Sequence, residues 1–115
     1  MSVTFNEEIL DNGVRKILLA GTLDAPNAMS IEDEFKAALL DRGGKVIVDL
    51  SGVEYMSSYG LRMLLIGAKS LHSAGGAMHL AAPNEHVMKV ITVTGYAQMF
   101  PVHETLEQAL LSVNT

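Results

Sequence analysis

Hydrophobic positions along the chain fall into two rhythms, one of period two and one of period 3.6. From Val3 to Leu10 apolar and polar residues alternate loosely, Asp11-Asn12-Gly13 reads as a turn, and Val14 to Ala20 follows as a second apolar segment. Together they predict an N-terminal β-hairpin. Gly21-Thr22-Leu23-Asp24 then leads into a segment in which Ala28, Ile31, Phe35, Ala38 and Leu39 share one helical face, with Gly43-Gly44 as its stop. Lys45 to Leu50 is a short β-branched run, the mark of a strand covered on both faces. A second helix is expected from about Ser57-Ser58 to Ser73, before Gly75-Gly76, and Ala77 to Ala82 is another buried strand. Asn84 is a candidate N-cap for a third helix that closes at Gly95. Phe100-Pro101-Val102 is expected as a short last strand, and Glu104 to Ser112 as a C-terminal helix. The order β-β-α-β-α-β-α-β-α implies an α/β fold with a mixed sheet, because strands separated by helical crossovers run parallel. No repeat, linker or low-complexity tract interrupts residues 1–115, so they are read as one domain.

Composition narrows this further. Apolar residues make up 49% and charged residues 18%, enough to build a core and too apolar for disorder. No run approaches the roughly 18 apolar residues of a membrane helix, so membrane insertion is not expected. Met1 to Asp11 hold Glu7, Glu8 and Asp11 and no base, unlike a secretory leader. The absence of cysteine fits a cytoplasmic location and excludes disulfides within the chain. The net charge is −5, and the excess lies in residues 1–54, where ten acids face five bases. Without a basic stripe, direct binding of nucleic acid is not expected.

The stretch Val46-Ile47-Val48-Asp49-Leu50-Ser51-Gly52-Val53-Glu54-Tyr55-Met56-Ser57-Ser58-Tyr59-Gly60-Leu61-Arg62 resembles the hallmark of STAS domains in their anti-sigma-factor antagonist branch. There a strand ending in Asp-Leu passes through a short loop to an Asp-Ser-(Ser/Thr)-Gly-Leu turn that opens a helix. Gly21-Thr22-Leu23-Asp24 is similar to the Gly-x-Leu-Asp before the family's first helix, and Pro83 to Gly95 to its later helix. The resemblance implies a STAS-like single domain, a four- to five-stranded mixed sheet with helices packed chiefly on one face. It also implies a partner switch: the antagonist binds an anti-sigma factor that is a GHKL-type serine kinase, and a PP2C-type phosphatase reverses the phosphorylation. No cofactor is implied. Ser58 falls on the phosphorylated serine, Gly60 and Leu61 on the Gly-Leu pair, and Asp24 on the aspartate before the first helix. Two positions depart from the pattern. Ser57 stands where the family has aspartate, and Tyr59 where it has a small residue.

A serine at a helix start is commonly a cap, and either Ser57 or Ser58 can serve. A phosphate there would also meet unpaired N–H groups and the positive end of the helix dipole. Arg62 lies four residues beyond Ser58, within reach of such a charge. Ser58 is therefore the first candidate for modification and Ser57 the alternative. On the second helix, Leu61, Leu64, Leu65, Ala68, Leu71 and His72 form the expected core face, with Met63 and Ile66 nearly opposite. Asp24, Ser57, Ser58, Tyr59, Arg62, Met63 and Ile66 are accordingly the candidate partner-binding residues, Met63 and Ile66 as an exposed apolar patch. Catalytic readings find little support. His72, His79 and His86 are seven apart across different elements, which is no metal-ligand spacing, and no nucleophile–base pair or phosphate loop is evident. An alternative keeps the fold without phosphorylation, as a STAS scaffold or accessory subunit, for example of a lipid-handling transporter. The retained Ser58-x-Gly60-Leu61 favours the switch; Ser57 and Tyr59 favour the scaffold.

Overall fold

The chain's structure, a computed structural model, describes residues 2–10, 12–41, 44–95, 98 and 100–113. Strands β1 (Val3–Ile9) and β2 (Arg15–Leu23) pair antiparallel from Val3↔Gly21 to Ile9↔Arg15. Gly13, at φ +83°, sits in the turn between them, and the Asn12 side chain accepts from Val14 N–H at 3.1 Å. Asp11 of the expected turn and Gly43 of the expected helix stop lie outside the described residues. Strands β3 (Lys45–Met56), β4 (Ala77–Ala81) and β5 (Val102–His103) follow parallel to β2, in the spatial order β1-β2-β3-β4-β5. Helices α1 (Ala25–Leu40), α2 (Ser58–Ser73), α3 (Glu85–Val93) and α4 (Leu106–Val113) connect or follow them.

Alternation along the strands decides which layer each helix builds. Ile17 and Leu19 of β2, and Val46, Val48 and Leu50 of β3, point toward α1, α2 and α3 and form the main core with Phe35, Leu64 and Ile91. Ile47 and Ala81 point the other way and pack beneath Ala109 and Val113 of α4. The central strand is therefore buried on both sides, and Val46 through Leu50 are all inaccessible or nearly so. Among the described residues, three helices on one face and one on the other agree with the expected layering.

The central strand does not end at Leu50, as the sequence led us to expect, but runs to Met56. Ser51, Gly52 and Glu54 break its apolar rhythm, yet β2 continues to pair with it through two register shifts, after Leu18 and after Gly21. Asp49 Oδ1 accepts from Ser51 N–H at 2.9 Å at the first irregularity. Gly52 is needed at the close contact that follows, because a Cβ there would stand 2.9 Å from that of Ala20. The extension outruns β4 and sets the position of everything after it.

Candidate functional site

Leu23 and Met56 are register partners, so β2 and β3 end side by side, and the next residues, Asp24 and Ser57, start α1 and α2 next to each other. Asp24 Oδ1 accepts from Asn27 N–H at 2.9 Å, and the Asn27 amide group donates to Thr22 O at 2.9 Å. Ser57 is the cap of α2: its Oγ accepts from Gly60 N–H at 3.1 Å and donates to Leu23 O at 3.1 Å. The Ser57 N–H donates to that same carbonyl at 3.0 Å. Both capabilities of the hydroxyl are thus in use. Gly60 lets the first turn of α2 settle on Leu23, since a Cβ at this position would lie 2.7 Å from Leu23 O.

Ser58, one residue into the helix, is exposed, and its hydroxyl has no hydrogen-bond partner among the described residues. Tyr59 turns toward α1, where its hydroxyl donates to Glu32 Oε2 at 3.0 Å. That hydrogen bond, then partial burial and the charge of Glu32, push the phenol above its usual range, with Arg62 acting in the opposite sense. Arg62 and Ile66 are exposed on the same face as Ser58, Ile66 at 38%. A third cap closes the edge of the site: Asn84 Oδ1 accepts from Val87 N–H at 2.8 Å, while its amide group donates to Val53 O and Glu54 O at 3.1 and 3.2 Å. Beside it, the exposed ring of Tyr55 stacks on His86, centroids 5.1 Å apart.

The structure thus brings together Asp24, Ser57, Ser58, Tyr59, Arg62 and Ile66. It corrects Met63, which is 3% exposed and belongs to the main core. The expectation failed because α2 is covered on two sides, by the sheet and by α1. Gly67 admits α1 so closely that a Cβ there would stand 2.6 Å from Leu39 Cδ1 and 3.3 Å from Phe35 Cε2. Conversely, His72, expected on the core face, is exposed near the end of α2. Glu32 and the Tyr55–His86 pair were not singled out from sequence; they enter the site through helix crossing and strand length, which leave no local signal.

Among the described residues no three histidine or acidic side chains converge to hold a metal ion, and no helix is long and apolar enough to cross a membrane.

The sequence profile of the STAS domain matches residues 8–109. A Bordetella bronchiseptica protein named as a candidate anti-sigma factor antagonist, BtrV, is 34% identical over 105 residues, covering 90% of each chain. The crystal structure of an anti-sigma factor antagonist from Mycobacterium paratuberculosis superposes with a TM-score of 0.89 at 30% identity, covering 99% of this chain and 96% of that one. The anti-sigma factor antagonist SpoIIAA in its unphosphorylated form superposes with a TM-score of 0.79, covering 96% of both chains. At 23% identity that last match is a likeness of fold alone.

Proposed function

The chain belongs to the STAS domain family, and from that membership we propose that it is an anti-sigma factor antagonist switched by phosphorylation of Ser58. The relatives named for this role supply the partner class, an anti-sigma factor. The observation that carries the switch is the division of labour between two adjacent serines. Ser57 is spent on capping α2, whereas Ser58 presents a free, exposed hydroxyl on the same turn. Tyr59 does not oppose the reading, because its hydroxyl is engaged by Glu32 on α1 and Ser58 remains uncovered.

In the unmodified state, Ser58, Arg62 and Ile66 present one neutral-to-basic face beside the α1 cap, Asp24, and this face docks on the anti-sigma factor. For the modification, Ser58 Oγ attacks the γ-phosphorus of ATP held by the anti-sigma kinase. A P–O bond forms as the bond to ADP breaks, and the kinase takes up the hydroxyl proton. A partner surface shaped for a hydroxyl then meets a charge of about −1.5 to −2, which costs several kcal/mol if left unpaired. A phosphatase of the PP2C type restores the binding form, and the exchange places the protein in the cytoplasm with its partners.

The test compares wild type with Ser58→Ala, incubated with the cognate anti-sigma kinase and ATP and followed by intact mass. Wild type gains one phosphate; Ser58→Ala gains none and still binds the kinase. Phosphate on both proteins moves the site to Ser57, and phosphate on neither favours a scaffold without phosphorylation.

A further inference from the structure

The free hydroxyl of Ser58 opens into a groove of about 520 Å³ that runs along α2 toward the end of α3. Besides Ser58, its lining includes Tyr59, Arg62, Ile66, Lys69 and Thr94. Two of these are cations, none is a carboxylate, and neither Arg62 nor Lys69 forms an ion pair among the described residues. Arg62, one turn from the unpartnered hydroxyl, is poorly used in the unmodified protein. It becomes useful once the hydroxyl carries a dianion.

We infer that Arg62 is the seat of the phosphate on Ser58, holding it along the groove as a dianion, so that the modified state is stored against the domain. This inference rests on Ser58 being the modified residue. Four helical residues rise about 6 Å, and helical side chains lean toward the N-terminus, so Arg62 reaches back to Ser58. Its planar fork suits two phosphate oxygens at once. Lys69 is eleven residues on, about 16 Å along the axis, too far for contact; it adds only a screened, distant charge. The cap strengthens the arrangement, because Ser57 is neutral where a carboxylate would repel the phosphate. Glu32 on α1 is the nearest acid that the site engages, and it accepts the hydrogen bond of the Tyr59 hydroxyl. Arg62 is here a positioning residue: it sets the protonation and accessibility of the phosphate without taking part in its transfer.

The test uses the full chain with phosphoserine installed at position 58 during synthesis, so that no kinase is required. The second phosphate ionisation is followed by phosphorus NMR, starting from a free phosphoserine value of about 6. Wild type is expected to titrate about 1 unit lower than Arg62→Gln, the low end of the range for an acid beside an arginine. Arg62→Lys should recover part of the shift and Lys69→Gln should retain nearly all of it. The phosphate should also be removed several-fold more slowly from wild type than from Arg62→Gln by a broad-specificity phosphatase. Equal midpoints in wild type and Arg62→Gln overturn the inference, as does a Lys69→Gln effect equal to that of Arg62→Gln, which would make it general screening. Failure of the cognate kinase to modify Ser58 would overturn the functional reading and leave the titration result unchanged.

Discussion

At the scale of single residues, the site is built from contacts that differ sharply in tolerance. Gly60 has backbone for a neighbour: a Cβ would press on the Leu23 carbonyl at 2.7 Å and on Leu23 Cγ at 2.8 Å. Neither strand end can yield without disturbing the Ser57 cap, which uses the same carbonyl. Gly60→Ala should therefore cost about 1–3 kcal/mol, the range for overpacking, outweighing the roughly 1 kcal/mol that alanine gains over glycine in a helix. Urea unfolding measures it, and a stabilised variant would contradict the geometry. Met63 and Ile66 separate in the same way. Met63→Ala should cost about 2–5 kcal/mol as a core truncation. Ile66→Asp should leave stability within about 0.5 kcal/mol and weaken anti-sigma factor binding by more than about 1 kcal/mol. Equal stability losses in the two variants would place Ile66 in the core as well. From sequence, Ser58 ranks first by its resemblance to the family's serine and Ser57 second, while helix capping alone allows either. What assigns the cap to Ser57 is its bond to Leu23 O, contributed by a strand 34 residues away.

At the scale of elements, the contact between α1 and α2 explains both what the sequence disclosed and what it concealed. The elements, their order and the pairing of the N-terminal hairpin were legible, because hydrophobic period and glycine breaks are local properties. The apolar arc of α2 was not, since its width depends on α1 crossing at Gly67. Likewise β3 was read six residues short, because Ser51, Gly52 and Glu54 look like loop and are held in the strand by pairing with β2. Gly67 offers a graded comparison with Gly60. Its nearest neighbour is Leu39 Cδ1, the mobile end of a side chain, at 2.6 Å, and the Phe35 ring edge follows at 3.3 Å. Leu39 can turn aside at the cost of part of its packing, while alanine recovers helix propensity of about 1 kcal/mol. Gly67→Ala is thus expected to lie within about 1 kcal/mol of wild type and to be less damaging than Gly60→Ala. Reversal of that order in parallel urea melts would show that α1 cannot adjust and that the helix pair is rigid.

At the scale of the whole molecule, the candidate site and the weakest seam lie in different parts of the structure. The site joins the ends of β2 and β3, whereas β5 contributes only two residues to the sheet. The segment leading into α4 is held by Leu80 N–H to Pro101 O and Ala82 N–H to His103 O, each 2.9 Å, and the end of α4 by Lys45 Nζ to Val113 O at 2.7 Å. A further link is the approach of His79 Nδ1 to His103 Nε2 at 3.0 Å, between rings only 6° from parallel. That link requires one nitrogen to donate and the other to accept, so it does not survive protonation of both rings. His79 is pushed below its ordinary value first by burial, then by the charges of His103 and Lys45. The folded chain therefore binds a proton at His79 less readily than the unfolded chain, whose value is about 6.5. The sign follows from linkage: stability is intact above about pH 6.5 and falls as pH drops toward the folded value. The Asp49 carboxylate on β3 and the Lys16 ammonium on β2 share this face of the sheet, but neither makes a hydrogen bond to either ring. The urea midpoint should accordingly be flat between pH 8 and 7 and decline from about pH 6.5 downward. His79→Gln, which retains hydrogen-bonding groups without a titrating charge, should flatten that decline, and hydrogen exchange at low pH should release β5 and α4 of wild type before β2 and β3. If His79→Gln loses stability as steeply as wild type, the acid sensitivity arises from other groups and the seam is not held by the histidine pair.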